Sequence, residues 1–505
     1  MSSRSNSPER YPRFRPSCAA CHRMKKKCDR KLPKCSLCQR YQRDCSYSFL
    51  PTQETPPSGG TSVLDSSTSS VTNTTDHDFP AVYFLDSALF RRSVCQLPHP
   101  AISIDPTVQA FINAGGFERR FISNFFNLIH PWFPFLSRRL FMERVISPLG
   151  PVRPENTLLI AAMKLVADPK PDMGPRTAAY KAIKSGLFQA ELSGLVDFKI
   201  FQALVLLSLY EIGHAILPDA YMTVGYCLRY GSVLGLGRSV QGDSKDTIGD
   251  VDQEERRRAW WAILLLDRLV NLGCAERMPF FEDLGTTVLL PADDSVWEST
   301  NHSRLQAHRL TDPPNATMGR FCLTAQAALL FGRVFRAIQE PHGASGARPL
   351  EEKLLDDTLS TLTNVSLQEG QLRGIGVCSP TTICYSARFL LNDRERHQIE
   401  DDDGRSSPEF APAEFEFTAS FNMLQLAQGI VATRKCGDEE VSPFCMDAMY
   451  RSGIFYARHH SQTGDQSSLE ALHDIEKGFK IMSGRWRSAE YYLSMMNARV
   501  VSGIL

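Results

Sequence analysis

Three observations predict a small metal-tied N-terminal cluster of two short helices, a flexible linker and a large all-α domain. Six cysteines fall into two identically spaced halves, Cys18-x2-Cys21-x6-Cys28 and Cys35-x2-Cys38-x6-Cys45. Residues 51–80 hold 13 Ser or Thr, 4 Pro and 2 Gly, with no Lys or Arg. The remaining 425 or so residues carry recurrent apolar positions at helical spacing.

A Cys-x2-Cys step sets two sulfurs on the same side of a helical turn, and the third cysteine of each half returns to the same ion. Tetrahedral zinc takes four ligands, so two Zn2+ ions need eight positions. Cys18, Cys21, Cys28, Cys35, Cys38 and Cys45 fill eight positions only if two of them bridge, and the symmetry of the repeat selects Cys18 and Cys35. A disulfide framework is the competing reading. The chain opens on a polar, arginine-bearing stretch with no apolar signal segment, which argues for a reducing compartment and for metal.

Charge separates the two halves. Between Cys21 and Cys28 lie His22, Arg23, Met24, Lys25, Lys26 and Lys27, a nearly continuous cationic face; between Cys38 and Cys45 lie Gln39, Arg40, Tyr41, Gln42, Arg43 and Asp44. A short basic helix fits the major groove of DNA, where Lys or Arg donates to guanine O6 and N7 while neighbouring cations hold phosphates. The lysine run also reads as a nuclear import signal, and the two roles are compatible. The overall formal charge of zero is a cancellation: 13 Lys and Arg stand against 3 acids through residue 45, and 43 against 53 beyond it. Six thiolates and two zincs leave this head at about +8, enough for a steep salt dependence of DNA affinity. Arg4, Arg10, Arg13 and Arg15 extend it upstream as a basic arm.

Together with Asp29, Arg30 and Pro33, these residues resemble the fungal zinc binuclear cluster transcription factors over about residues 16–47. The resemblance implies two Zn2+ bridged by the first and fourth cysteines and a reader of CGG-type sites in the major groove. Lys25, four places after the second cysteine, corresponds to the base-reading lysine. His22, Arg23, Lys26, Lys27 and Arg30 complete the expected DNA contacts, and Pro33 sets the turn between the halves. His22 and Met24 stand where the family often carries arginines, which bears on affinity rather than sequence choice. Many members continue into a heptad-patterned coiled coil; no sustained apolar heptad follows here, so the expectation is binding as a monomer or as a homodimer through the large C-terminal region.

Beyond the linker, Phe121, Phe125, Leu128 and Ile129 outline a helix face before His130-Pro131. Leu204, Leu207 and Tyr210 outline another before Pro218, and Val224, Leu228, Val233 and Leu236 a third. Residues 252–272 describe an amphipathic helix with an acidic start and Trp260-Trp261 toward the core. Glu254-Glu255-Arg256-Arg257-Arg258-x-Trp260-Trp261, Leu266-Asp267-Arg268, Leu234-Gly235-Leu236-Gly237 and Leu290-Pro291 with Asp293 resemble the fungal-specific transcription factor domain over about residues 117–340. That resemblance implies an all-helical regulatory domain. Arg256, Arg257, Arg258 and Asp267 are expected in structural ion pairs rather than in a ligand site.

Catalytic readings fail one by one. Gly235-x-Gly237 lacks the third glycine of a dinucleotide fingerprint and reads as a helix end. Adjacent His459 and His460 point apart on regular structure, and the eight later cysteines show no Cys-x2-Cys pairing. No Gly-x-Ser-x-Gly elbow or His-Glu-x-x-His helix occurs, and no uninterrupted apolar run reaches the 18 residues of a membrane span. Acids and phenylalanines alternate over 400–417, which reads either as an activation segment for coactivators or as an acidic surface loop anchored by its phenylalanines.

The expected organisation is a basic arm (1–15), the zinc cluster (16–47), a disordered linker (48–80), a helical fungal-specific transcription factor domain (81–345) and a helical C-terminal region (346–505) with the acidic loop 400–417. The expected function is a nuclear, non-enzymatic, sequence-specific regulator at RNA polymerase II promoters. Resemblance points to a pathway-specific activator, including those of secondary-metabolite gene clusters. A ligand-sensing, enzymatic or corepressor-type helical body with an appended DNA module is the alternative.

Overall fold

The computed structural model describes residue 18, residues 20–21, 24, 26–29, 31, 34–41 and 45, then 79–92, 97–114, 120–146, 153–241, 250–273, 277, 279, 287–299, 305–339, 348–374, 377–403, 414–433 and 442–503. The basic arm and most of the expected linker lie outside them. The chain divides into two compact units, Met1–Pro100 and Ala101–Leu505. Residues 81–100, assigned from sequence to the helical body, thus belong to the first unit.

In the first unit, helix α1 (Ser36–Arg40) follows Cys35, and Ala20 and Cys21 are helical in the corresponding place of the first half. Two further short helices, α2 (Val82–Leu85) and α3 (Ser87–Arg92), follow the linker. Phe79, Tyr83, Phe84 and Phe90 pack ring on ring around them, with centroids 4.9 to 5.7 Å apart.

The second unit is helical almost throughout. It begins with α4 (Pro106–Asn113), α5 (Arg120–Leu128) and α6 (Arg138–Arg144). On α5 the deepest residues are Ile122, Phe125 and Phe126, so the buried face is rotated from the expected one and Phe121 and Leu128 sit at its margin. Helix α7 (Pro154–Ala167) starts on a proline whose missing N–H costs nothing at a first turn, and α8 (Ala178–Leu192) starts on the Thr177 cap. Helix α9 (Phe198–Gly213), capped by Asp197, is buried along nearly its whole length between α7 and α10 (Asp219–Val233). Gly235 ends that run in the left-handed region (φ +70°), as the sequence predicts, and a 3-10 turn, Leu236–Val240, follows.

Helix α11 (Val251–Val270) carries the Glu-Glu-Arg-Arg-Arg-x-Trp-Trp motif, and its Asp250 cap accepts from Asp252 N and Gln253 N. Arg258 is fully buried and donates to Glu254 Oε1 at 2.8 Å, Asp294 Oδ1 at 2.8 Å, Pro134 O at 3.0 Å and Ala292 O at 2.7 Å. Arg257 pairs with Glu254, and Asp267 with Arg268. Arg256 instead lies over the Phe198 ring, 4.8 Å from its centroid. Trp261 Nε1 donates to Leu289 O at 3.0 Å.

These contacts tie α11 to the one departure from an all-α body among the described residues, an antiparallel pair of strands β1 (Leu289–Ala292) and β2 (Ala307–Arg309). Short helix α12 (Asp294–Glu298) stands between them. Helix α13 (Arg320–Gln339) is long and apolar enough to cross a bilayer, with a mean hydropathy of 1.4, but 78% of that window is buried inside the body. It reads as a core helix; individual polar residues had broken its run in the sequence.

Helices α14 (Arg348–Leu372), α15 (Ser379–Asp403), α16 (Glu414–Thr433), α17 (Met446–Thr463), α18 (Gln466–Met482) and α19 (Ser488–Ser502) complete the unit. One apolar core runs from Val108 to Met496, across the boundary expected at 345. Trp486 fills the space above Gly213, where an added Cβ would lie 2.3 Å from the ring, and meets Trp132 edge-on at 6.3 Å. Both flanks of the expected acidic loop are helical. Asp401–Asp403 end α15; Phe415 rests under Arg388 (4.4 Å) and beside Phe389 (5.5 Å); Glu416 is buried. Residues 404–413, including Glu409 and Phe410, lie outside the described residues.

Candidate metal centre and nucleic-acid interface

The two halves of the cysteine repeat build the same local structure twice. Cys21 N donates to Cys18 Sγ at 3.4 Å, and Cys38 N to Cys35 Sγ at 3.4 Å. Cys18 N approaches Cys28 Sγ at 3.5 Å, and Cys35 N approaches Cys45 Sγ at 3.2 Å. Identical spacing thus yields identical N–H to sulfur contacts, the kind that orient ligand atoms and stabilise them as thiolates.

Across the halves, Cys18 Sγ lies 3.7 Å from Cys35 Sγ and 3.6 Å from Cys38 Sγ; Cys21 Sγ lies 3.6 Å from Cys35 Sγ and 4.0 Å from Cys38 Sγ. A disulfide needs about 2.05 Å, whereas sulfurs at two corners of a zinc tetrahedron with ~2.3 Å bonds stand ~3.8 Å apart. The sulfurs form two groups of four, Cys18 with Cys21, Cys28 and Cys35, and Cys18 with Cys35, Cys38 and Cys45; within each group they lie within 4.8 Å of one another. Cys18 and Cys35 are common to both.

Burial pushes the Cys18 and Cys21 thiols up, and burial with the neighbouring thiols of Cys35 and Cys18 pushes Cys38 up to about 12. Thiols so desolvated hold their protons unless a cation compensates the thiolates, and divalent zinc displaces those protons on binding. The donor set therefore fits two zinc ions. Among the described residues the apolar side chains packed around the sulfurs are Ala20, Met24 and Leu37, far too little surface to hold a fold without metal.

One side chain that the spacing alone did not single out ties the halves together. Asp29 accepts from Ser36 N at 3.0 Å and from Ser36 Oγ at 2.5 Å, fixing the start of α1 from the end of the first half. These hydrogen bonds draw its carboxyl below the usual carboxylate range. An acid directly after a ligand, with a serine directly after the next ligand, is the signal that marks it.

Of the expected DNA contacts, Lys26 and Lys27 are exposed directly ahead of Cys28. The backbone leading to them is turned, with Met24 N donating to Ala20 O at 3.2 Å and Lys26 N to Cys21 O at 3.0 Å. Lys25, His22, Arg23, Arg30 and Pro33 lie outside the described residues. Elsewhere, His459 Nδ1 faces Ser468 Oγ and His460 Nδ1 faces Asp465 O, so the pair serves separate contacts. Cys227, Cys322, Cys378, Cys384 and Cys445 are buried; Cys95, Cys274 and Cys436 lie outside the described residues.

Residues 16–53 match the fungal Zn(2)-Cys(6) binuclear cluster domain, and residues 122–315 match the fungal specific transcription factor domain. Transcription factor BOA15 of Botryotinia fuckeliana (strain B05.10) is 30% identical over 181 residues, which is 98% of that protein and 35% of this chain. The chain belongs to the fungal zinc binuclear cluster transcription factors. As a zinc cluster factor it is a DNA-binding regulator and not an enzyme, and its cluster holds two zinc ions. No solved structure matches the chain.

Proposed function

We propose that this zinc cluster factor reads CGG-type sites in the major groove through Lys25, as a pathway-specific activator at RNA polymerase II promoters in the nucleus. The observation that carries the reading is the pair of four-sulfur groups sharing Cys18 and Cys35, with the exposed Lys26 and Lys27 rooted in the chain between Cys21 and Cys28. Cys18, Cys21, Cys28, Cys35, Cys38 and Cys45 are the ligands in this proposal, and Cys18 and Cys35 the bridges. Bound zinc supplies the charge compensation and cross-links that a domain with so little core needs.

On that rigid base Lys25 donates to guanine O6 and N7, while His22, Arg23, Lys26, Lys27 and Arg30 hold phosphates and fix the register. Coactivators, a homodimer contact without a coiled coil, and control of a secondary-metabolite gene cluster belong to the same proposal and rest on family resemblance. A genome-wide occupancy map tests them together, since it reports motif, half-site spacing and regulated genes.

Two variants test the chemistry. Lys25→Ala is expected to lose about 1–3 kcal/mol of discrimination at one base pair in a binding-site selection, with two zincs retained; unchanged specificity removes Lys25 from the role. Cys18→Ser is expected to lower both zincs in elemental analysis, and a variant that keeps two ions and specific binding refutes the bridge.

A further inference from the structure

Between α10 and α11 of the helical body lies a cavity of ≈ 320 Å³. Its walls are Tyr221, Met222, Tyr226 and Arg229 from α10 and Asp267 and Val270 from α11, and its floor on α10 is Gly225. That volume falls in the range of about 300–1,000 Å³ typical of small-molecule sites, and the lining is of the same kind, mostly apolar and aromatic with few polar groups.

Gly225 is the informative residue. A glycine inside a helix costs stability relative to alanine, so one that persists wants a packing reason. Gly231, on the same helix, has one: an added Cβ would lie 2.7 Å from the Phe201 ring and 2.8 Å from the Trp260 ring. Gly213 has one in Trp486. Among the described residues a Cβ at Gly225 meets nothing within 4 Å, and the open space there is the cavity.

The walls are also set in place. Tyr226 is wedged between Phe188, at 5.0 Å between ring centroids, and Tyr230, at 6.0 Å, and Arg277 lies over Tyr221 at 5.7 Å. Exposed Met222 offers a soft, adaptable rim. The lining carries one acid, buried Asp267, which pairs with Arg268, and one cation, exposed Arg229, so its charges cancel.

We propose that this cavity binds a small, flat, ring-bearing molecule of low charge, its ring between the tyrosines and a hydroxyl-type donor toward Asp267. The site is independent of the DNA-reading proposal and stands or falls separately.

The test uses the zinc-loaded full chain with 2-naphthol as probe, followed by ligand-detected magnetic resonance and by the melting temperature of the body. Saturable binding at one site per chain is expected, raising the melting temperature by mass action. Gly225→Leu fills the space and is expected to weaken binding at least ~tenfold, a difference of about 1.4 kcal/mol. Gly225→Ala is expected to weaken the probe while raising the melting temperature of the free protein, because alanine is the better helix former. Those opposite signs separate a filled site from a damaged fold, and the alanine variant decides the matter if the leucine variant does not fold. No saturable binding, equal binding by the wild type and Gly225→Ala, or a dimer that Gly225→Leu dissociates would each overturn the proposal, the last by giving this face to a second copy of the chain.

Discussion

Replacing Arg258 by alanine tests whether the basic motif of α11 is architecture. The guanidinium is entirely buried and satisfies two carboxylates and two carbonyls on three stretches of chain, its own helix among them, while lying 4.0 Å from the centroid of the Trp297 ring. Its removal leaves Pro134 O and Ala292 O without that donor and strips Asp294 and Glu254 of a buried cation. Breaking a buried pair from one side costs about 3–5 kcal/mol. For the unit Ala101–Leu505, an unfolding entropy of about 2.1 cal/mol/K per residue sums to roughly 0.85 kcal/mol/K, so the melting temperature should fall by ~4–6 °C. Arg258→Lys keeps the charge but cannot fork toward all four acceptors, and should fall between. The assay is far-UV circular dichroism of the zinc-loaded full chain, with zinc content and DNA affinity measured alongside and expected unchanged. A loss below about 1 kcal/mol, or ~1 °C, refutes the reasoning and returns Arg258 to consideration as a ligand-facing residue.

Two more outcomes follow from neighbouring geometry. Glu255 is buried and accepts from Ser137 N at 2.7 Å, and burial raises its carboxyl from 4.5 to about 7. A raised folded value favours the protonated fold, so this stabilisation is complete below about pH 4.5 and lost as pH climbs through 7, by up to ~3 kcal/mol. Melting curves between about pH 5 and pH 8 should therefore flatten in Glu255→Gln, and an unaltered slope would exclude this group as the cause. Asp29→Ala should loosen the joint between the half-clusters and weaken DNA binding several-fold with both zincs retained, whereas Asp29→Asn, which keeps an acceptor for Ser36 N, should be milder; equal affinities for all three proteins in a salt titration would dismiss the joint.

What the sequence discloses is what is local. Ligand spacing is read within a few residues, so both half-clusters and their shared sulfurs were expected from Cys18 to Cys45 alone. The same holds for α11, whose caps, charges and tryptophans occupy one stretch, and for Gly235, whose helix-ending conformation needs no distant partner. The strands β1 and β2 were missed because Pro291 argues against a strand and the pairing closes over an intervening helix with an irregular register. On α5 a nearly continuous run of apolar and small polar residues left the face ambiguous, and tertiary packing chose Ile122 and Phe126. Over 400–417 the alternation of acid and phenylalanine did not disclose the helices at 400–403 and 414–417, while Phe415 does anchor on Arg388 and Phe389, a contact whose partners are invisible in one dimension.

Trp486 has a bearing on how this protein can be cut. Its indole sits on the backbone of Gly213, and the next turn adds a hydrogen bond from Ser488 Oγ to Gly213 O at 2.8 Å, 275 positions back along the chain. The recognisable family segment, residues 122–315, is consequently roofed by the last hundred residues, and a fragment ending after that segment would bare Gly213, His214 and Trp132 to water. Truncations meant to isolate a minimal effector region should expect insolubility rather than a simplified regulator, and loss of promoter activity in such fragments measures folding before it measures function.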